Sequence, residues 1–301
     1  MDYEALRMVC SWEFWRMAVL WTISLLYSYI LLFIRRGGGG APVPRRCRRP
    51  MPEPDDDAGR CLRPICVITG ATSGLGKAAA VALAQEGYHV VLGESRTVQE
   101  IRNRQSDAYL EAFQVNLSSF KSIKKFETSL KQWIQDANME HSIQLLVNNA
   151  GMLAKSYRIT EDGFDEMMQA NYIGPFVLTN ILLPLLKNSS TPSRVVNLTA
   201  ADPGVVQTGI MRELPPSLSW FAHSVLRLLN LLQQPDTGVG AVLDAALAPP
   251  EASGKYFFGG KGRTIRSSQL SYDVEVAKKL WAESLALFNE LQIRECELRT
   301  S

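Results

Sequence analysis

Short apolar runs alternate with longer amphipathic stretches through the first two thirds of the chain. Ile65 to Thr69, His89 to Gly93 and Ile143 to Val147 are apolar and short, and we predict each as a buried parallel strand. Lys77 to Glu86 and Gly163 to Leu186 have the apolar spacing of helices. Strands that alternate with helices in this way are typical of an α/β fold with a parallel sheet.

The same pattern continues towards the C-terminus with less regular spacing. Val195 to Thr199 is predicted as a fifth strand, Lys255 to Phe258 as the last strand, and Asp273 to Leu291 as an amphipathic closing helix. Ala200 to Gly204 is interpreted as the end of a sixth strand. Leu218 to Leu232 is apolar with helical spacing, which suits either a cover over a lipophilic substrate or ordinary core packing.

The N-terminal region contains a long uncharged apolar segment. Met17 to Ile34 is just long enough to span a bilayer core, and it is accompanied by the aromatic residues Trp12, Trp15, Trp21, Tyr27 and Tyr29. We therefore predict a single-pass membrane anchor. A cleaved secretory signal is the alternative, although its apolar core is normally shorter.

Arginine is concentrated on one side of this segment. Arg35, Arg36, Arg45, Arg46, Arg48 and Arg49 follow it, whereas only Arg7 and Arg16 precede it. Positive charge stays on the cytosolic side, so the folded domain is expected to face the cytosol. The predicted organisation is an N-terminal segment (1–16), the anchor (17–34), a flexible Arg/Gly/Pro-rich tether (35–60), one α/β domain (61–293) and a tail (294–301).

Charge and cysteine content narrow the function classes. The chain has 301 residues and a formal net charge of +2, which argues against nucleic acid as a partner. Its cysteines are odd in number and lack paired-ligand spacing; they are Cys10, Cys47, Cys61, Cys66 and Cys296. We expect reduced thiols, with neither a disulfide framework nor a metal site.

A glycine-rich turn follows the first predicted strand. Gly70 allows a tight turn, while Gly74 and Gly76 let the backbone approach a pyrophosphate at the N-terminus of the next helix. Taken alone, the spacing also fits close packing of a helix on a strand.

Further motifs make the pattern specific. Thr69 to Gly76 has the form Thr-Gly-x-x-x-Gly-x-Gly, Asn148 to Gly151 reads Asn-Asn-Ala-Gly, Asn171 lies on the following helix, and Pro203-Gly204 comes later with Thr208. In this order, the motifs resemble the short-chain dehydrogenase/reductase family from about residue 63 to about residue 291. The likeness is greatest to its membrane-anchored, retinol-dehydrogenase-like branch, with the plant Forever Young group as a candidate relative.

The resemblance implies a Rossmann-like doubly wound parallel sheet and a nicotinamide cofactor. It assigns cofactor contacts to Thr69, Gly70, Thr72, Ser73, Gly74, Leu75, Gly76, Asn148, Ala150, Gly151, Pro203, Gly204 and Thr208, with Asn116 near the adenine. After the second strand, Arg96 suits the 2′-phosphate of NADP, towards which Lys77 also leans, whereas Glu94 could bind a ribose hydroxyl of NAD. NADP is slightly favoured.

One part of the family pattern is missing. The family's catalytic Ser, Tyr and Lys, the last two spaced Tyr-x-x-x-Lys, belong between the fifth strand and the Pro-Gly turn, where the Ser position falls near Thr199 or Ala200. Gly151 and Pro203 are only 52 positions apart, and no tyrosine in the chain has a lysine four residues later. We predict that the sheet lacks its sixth strand and the active-site helix. Only Asn171 of the catalytic group remains.

Two function classes follow. In the first, the gene encodes a membrane-anchored NAD(P)-dependent oxidoreductase for an alcohol or carbonyl substrate of lipophilic character, and this chain is a shortened, inactive product. In the second, the chain is a non-catalytic, membrane-tethered protein that binds a cofactor or a partner. Loss of a positioned general acid lowers a rate by about 10² to 10⁴. The oligomeric state is left open.

Overall fold

A parallel five-stranded sheet forms the centre of the protein. The computed structural model describes residues 10–34, 43–45, 63–93, 95–139, 142–154, 156–209, 216–228 and 231–300. The strands are β1 (Ile65–Ile68), β2 (His89–Leu92), β3 (Leu110–Ala112), β4 (Leu145–Asn148) and β5 (Arg194–Asn197), in the order β3-β2-β1-β4-β5. All four pairings are parallel.

Helices cover both faces of this sheet. After the N-terminal helix α1 (Trp12–Ile34), they are α2 (Gly74–Gln85), α3 (Ser95–Arg102), α4 (Phe120–Asp136) and α5 (Gly174–Lys187); a short α-helical turn, Glu166–Met168, and a π-helical turn, Gln169–Ile173, lead directly into α5. One buried cluster includes α2 and α3, and the other includes α4 and α5. The predicted Rossmann-like parallel sheet is confirmed.

The architecture changes after β5. Its elements are β6 (Ala201–Asp202), β7 (Val205–Val206), α6 (Pro216–Leu228), β8 (Leu232–Gln233), α7 (Pro235–Ala246), β9 (Tyr256–Phe258), β10 (Thr264–Ile265) and α8 (Val274–Thr300). β6 pairs parallel and β10 antiparallel with β9, and β7 pairs with β8. The helix predicted to reach Leu232 was wrong at its end, because Leu232 pairs with Val205 in a strand.

The sheet is split where the sixth strand was predicted to be absent. A two-residue strand, β6, is present, but it pairs with β9 and not with β5. The chain turns directly from β5 into β6, with the Ala200 amide donating to the Asn197 carbonyl at 2.8 Å. No helix lies between residues 197 and 203, which the structure describes throughout. A cleft of about 780 Å³ separates β5 from β9.

The closing helix α8 lies against α5 along a narrow stripe. The Tyr172 and Ser284 hydroxyls are 2.7 Å apart, and the rings of Phe176 and Trp281 meet edge to face at 5.4 Å. Leu291 is buried in the same cluster, whereas most of α8 is exposed. This helix therefore packs beside α5, in the cluster that also includes α4.

The N-terminal helix packs on the domain. Tyr29 contacts Phe258 edge to face, with ring centroids 5.3 Å apart, and joins the small cluster of Val205, Leu226 and Ile265. Among the helices that the structure describes, none is both long enough and apolar enough to cross a membrane. The predicted membrane anchor at 17–34 is therefore not supported; α1 is present there as a helix with one face on the domain.

Part of the predicted tether is docked. The Val43 amide donates to the Gly262 carbonyl at 2.9 Å, and Arg45 Nε lies 2.7 Å from Asp244 Oδ1. The Asp244 side chain is only 2% exposed and also accepts from the Gly262 amide at 2.7 Å. A buried carboxylate needs such partners, so residues 43–45 are not free. The rest of the predicted tether lies outside the described residues.

The two cysteines whose side chains the structure describes are free thiols. Cys10 is exposed, and Cys66 is buried in β1, where burial raises the pKa of its thiol. Cys47 and Cys61 lie outside the described residues, as does the side chain of Cys296. Cys66 is therefore a structural core residue, not a reactive one.

Candidate functional site

A cavity of about 410 Å³ lies at the carboxyl ends of β1 and β4. This is where the strand order reverses, the usual ligand position in an open α/β sheet. Ten of the predicted cofactor residues line it: Gly70, Thr72, Ser73, Leu75, Gly76, Ala150, Gly151, Pro203, Gly204 and Thr208. The remaining lining residues are Asn149, Leu198, Val205, Val206 and Gly209. Segments far apart in the sequence thus meet around one space.

The glycine turn shapes one wall of the cavity. Gly70 has φ +63°, a conformation that side-chain-bearing residues rarely adopt. At Gly76, an added Cβ would lie 2.3 Å from Asn149 Nδ2 and 2.4 Å from the Gly70 carbonyl oxygen, so no larger residue fits. Helix α2 begins at Gly74, and the Ser73 side chain makes no capping hydrogen bond to it. The first amides of α2 are therefore available to an anionic group.

Thr69 and Asn149 join the glycine turn to the end of β4. The buried Thr69 Oγ1 accepts hydrogen bonds from the Asn149 and Ala150 amides at 3.1 and 3.0 Å. In return, Asn149 Nδ2 donates to the carbonyls of Thr69 and Gly70 at 2.8 and 2.9 Å. Thr69 is 1% exposed and supports the wall from behind. Asn149 was not among the predicted site residues, although the Asn-Asn-Ala-Gly motif contains it.

Asn171, on the π-helical turn, does not line the cavity but lies beside Gly151, where an added Cβ would be 3.5 Å from its Oδ1. Its Oδ1 accepts from the Met152 amide and its Nδ2 donates to the Met152 carbonyl, both at 2.8 Å. The side chain thereby fixes the loop that leaves Gly151. Helical turns of this type are frequent at functional sites. Its assignment to the catalytic group stays a prediction.

Three predicted contacts have other partners in the structure. The Asn148 amide nitrogen donates to Thr179 Oγ1 at 3.0 Å and to Asn197 Oδ1 at 2.9 Å, between β4, α5 and β5. Asn116 Oδ1 accepts from the Ser118 amide at 3.0 Å, in the turn that precedes α4. Neither asparagine lines the cavity. Gly74 lies behind it against Thr208, whose Cγ2 would be 3.0 Å from an added Cβ.

The cationic side chains near the expected 2′-phosphate position share one carboxylate. Lys77 forms a salt bridge with Glu100, and Arg96 Nε lies 3.5 Å from Glu100 Oε1. The hydrogen bond and the charge of Lys77 hold the pKa of Glu100 below its usual value. The Arg96 side chain is 83% exposed, so it can turn towards an added phosphate. Glu94, the residue that would favour NAD, lies outside the described residues.

The Pro-Gly turn is stabilised by a carboxylate. Asp202 Oδ1 accepts from the Gly204 amide, and Asp202 Oδ2 accepts from the Tyr256 hydroxyl, both at 2.7 Å. Burial and the bond to Asp202 raise the pKa of Tyr256. This tyrosine lines the cleft between β5 and β9 and not the cavity. Among the described residues, no tyrosine or lysine lines the cavity.

Comparisons with known proteins agree with this geometry. Residues 64–215 match a family model described as short chain dehydrogenase. Human retinol dehydrogenase 13 is 27% identical over 288 aligned positions, which cover 73% of this chain and 83% of that protein. Human polyprenol dehydrogenase is 26% identical over 324 positions, covering 84% and 93%. The Arabidopsis thaliana dehydrogenase/reductase SDR family member FEY is 33% identical over 147 positions, covering 45% and 37%.

A solved structure shares the fold. The 3-oxoacyl-[acyl-carrier protein] reductase from Brucella melitensis, in complex with NAD, has a TM-score of 0.52 and 17% identity to this chain. The match covers 68% of this chain and 99% of the reductase. At this identity the similarity concerns the fold alone.

The two long alignments contain large gaps. The alignment with retinol dehydrogenase 13 has 288 positions, but 73% of 301 residues is only about 220. The alignment with polyprenol dehydrogenase has 324 positions, and 84% of 301 residues is about 253. Over the aligned regions, each relative therefore has about 70 residues for which this chain has no counterpart.

Proposed function

The chain belongs to the short-chain dehydrogenase family, and from this premise we propose that it is an oxidoreductase-family protein that binds a nicotinamide dinucleotide but does not catalyse hydride transfer itself. The observation that carries the proposal is the cavity. Its walls are the glycine turn, the Asn-Asn-Ala-Gly segment and the Pro-Gly turn. No lining residue that the structure describes has the acid and base chemistry of the family's Tyr and Lys.

The residues present fit the dinucleotide. Gly70 and Gly76 leave space at the turn that any Cβ would fill, and the uncapped amides of α2 would hold the pyrophosphate. Ala150, Gly151 and the Pro203-Gly204 turn would border the nicotinamide half. When bound, such a cofactor supplies a hydride acceptor or donor. What this chain contributes is binding and orientation, because the proton donor of the family is absent from its sequence.

Binding is tested by titrating the full chain with NADP and NAD while following protein fluorescence and thermal stability. We expect saturable binding and a higher melting temperature. Gly76→Ala should abolish both, because its Cβ would meet Asn149 and the Gly70 carbonyl. Gly240→Ala on α7 is the matched control, since the nearest described atom to its Cβ would be Gly260 Cα, at 3.7 Å. Saturable binding by Gly76→Ala, or none by the wild type, would contradict the proposal.

The absence of turnover needs its own test. Human retinol dehydrogenase 13 and polyprenol dehydrogenase are named for lipophilic alcohols, so we propose that the catalytic form of this protein acts on an alcohol or carbonyl compound of that class. Purified chain with NADP or NAD and retinol or a polyprenol should form no reduced cofactor above the enzyme-free rate. Turnover that depends on the intact glycine turn would refute the inactivity.

The residues that the two relatives have and this chain lacks raise the question of whether a longer form of the protein exists. If the gene also produces a chain with about 70 further residues, that longer chain is the oxidoreductase and this chain is its inactive product. Sequencing full-length transcripts across the codons for Thr199 to Asp202 decides the matter. A longer transcript that encodes Ser and Tyr-x-x-x-Lys supports an enzyme-encoding gene. The short join alone supports a non-catalytic binding protein.

We further propose that the protein associates with a membrane, with the domain on the cytosolic side. The support is the row of exposed apolar side chains on α1, among them Ile23, Leu26 and Ile30, together with the arginines that follow the helix in the sequence. Fractionation of cells that express the full chain tests this. Replacing the three apolar residues by serine should release the protein into the soluble fraction, and an unchanged distribution would refute the proposal.

A further inference from the structure

Tyr29 of α1 lies close to the turn that borders the cofactor cavity. Its hydroxyl accepts a hydrogen bond from Gln233 Nε2 at 3.3 Å, and the same Nε2 donates to the Pro203 carbonyl at 3.1 Å. One amide group therefore links the N-terminal helix to the cavity wall. Residues 29, 203 and 233 are distant in sequence, so only the tertiary structure brings them together.

Gly204 shows how closely the helix approaches. It has φ +79°, and an added Cβ would lie 2.8 Å from the Tyr29 hydroxyl oxygen and 3.3 Å from Gln233 Nε2. The Tyr29 ring is held in turn by Phe258, which is 1% exposed. The Pro203-Gly204 turn thus has the cavity on one side and Tyr29 on the other.

The turn is also supported from within the domain, where the Gly259 amide donates to the Asp202 carbonyl at 2.9 Å. Within it, Asp202 accepts from the Gly204 amide, and beyond it the two-residue strand β7 pairs only with β8, which carries Gln233. Strands this short have little stability of their own. The contact from α1 adds a further support to a turn whose adjoining strand is short.

We propose that Tyr29 is a positioning residue of the cofactor site: through Gln233 and contact with Gly204, helix α1 holds the Pro203-Gly204 turn in the shape that receives the nicotinamide half of the cofactor. The inference rests on the proposed cofactor binding. It makes the N-terminal helix a part of the site, so that conditions that displace α1 from the domain weaken the hold on the nicotinamide. The pyrophosphate end, held by the glycine turn, is independent of Tyr29.

The test compares Tyr29→Phe with Tyr27→Phe in the full chain. Both variants remove one hydroxyl from the same helix, but Tyr27 is 59% exposed and has no part in the brace. Each is titrated with NADPH and with adenosine 2′,5′-bisphosphate, which contains only the adenosine half; NADH and ADP take their place if the wild type prefers NAD. Gln233→Leu removes the other partner of the hydrogen bond.

Tyr29→Phe should weaken NADPH binding about 3- to 10-fold, as expected for one lost hydrogen bond, and leave binding of the fragment unchanged. Gln233→Leu also removes the bond to the Pro203 carbonyl and should weaken NADPH binding at least as much, and the double variant should be no weaker than Gln233→Leu alone. Equal NADPH affinities of Tyr29→Phe and Tyr27→Phe would overturn the proposal. An equal loss for NADPH and the fragment would also overturn it, because that pattern indicates general destabilisation.

Failure of the proposed cofactor binding can be distinguished from failure of the Tyr29 proposal. If the wild type binds no dinucleotide, the cofactor proposal fails, and hydrogen exchange of the Val205 and Val206 amides still decides whether the brace exists. Faster exchange in Tyr29→Phe than in Tyr27→Phe supports the brace. Equal exchange in the two variants rejects it.

Discussion

Residues 65–197 and residues 201–265 differ in how long, how buried and how fully paired their strands are. The strands β1 and β4 of the first region are buried at every position, and each is paired on both sides. In the second region, the strands have only two or three residues and form two small sheets. The five strands of the first region pair in one continuous sheet. The strands of the second region pair in sheets of three and two strands, separate from the central sheet.

β5 marks the boundary between the regions. Its inner edge pairs with β4 along its whole length, from Arg194 to Asn197. On its other side lies the cleft, and Val195 is 36% exposed, unusual for an apolar residue in a parallel sheet. Residues Arg194–Asn197 therefore form a strand although only one neighbouring strand, β4, pairs with them.

The largest effect is expected from core truncation in the first region. Leu146 is fully buried in β4, and Leu146→Ala should lower the free energy of unfolding by about 3 kcal/mol. Ile265, in the four-residue cluster of the second region, should cost less than half of that on truncation to Ala. Denaturant unfolding gives both values. Equal losses would contradict the comparison, because they would show that the second region is packed as tightly as the first.

The next effect is a pH dependence that originates in the first region. Burial, Arg63 and Arg102 lower the pKa of His89 to about 4, from an ordinary value of 6.5. Between these two pH values, His89 is protonated in the unfolded chain but not in the folded chain. The free energy of unfolding therefore falls as the pH drops from about 6.5 towards 4. Between pH 7 and 5 the loss should be about 2 kcal/mol. His89→Gln should remove it, whereas His223→Gln should not.

A smaller effect is expected where the N-terminal segment supports the second region. Arg45→Ala removes the partner of the buried Asp244 carboxylate, which keeps only the Gly262 amide. Because Arg45 is 40% exposed, the expected cost is about 1 kcal/mol in thermal or chemical unfolding. Arg227→Ala, an exposed position on α6, serves as the control. No difference between the two variants would show that the docked segment contributes no stability.

The smallest effect concerns the choice of cofactor. Arg96→Ala should weaken NADP binding by about 3- to 10-fold and leave NAD binding unchanged, because only the 2′-phosphate meets this guanidinium. Parallel titrations of both cofactors measure it. Equal effects on NAD and NADP would exclude Arg96 as the phosphate contact. Preferential binding of NAD by the wild type would instead point to Glu94.

Local sequence patterns were sufficient for the first region. Gly70 and Gly76 could be recognised because their spacing after an apolar strand reflects a steric requirement that the structure shows directly. Short apolar runs such as Leu145 to Val147 are informative because a strand that is buried on both faces needs apolar residues at successive positions. The cavity itself follows from these elements.

Contacts between distant segments could not be predicted. Arg45 meets Asp244 across 199 positions, and Tyr29 meets Gln233 across 204. In the sequence, Arg45 belongs to an arginine cluster that suggests a topology signal, and Tyr29 to an apolar run that suggests a membrane span. Both interpretations used local composition, whereas the partners are fixed by the folded domain. Leu232 is similar, because its strand exists only through pairing with Val205.

The cleft beside β5 also bears on how long the protein persists. A strand with an open edge beside a space of about 780 Å³ is a surface that chaperones and proteases recognise when it opens. We therefore expect cellular quality control to act on this boundary. A ligand that binds in the cavity would raise the abundance of the chain only to the extent that binding keeps the second region folded.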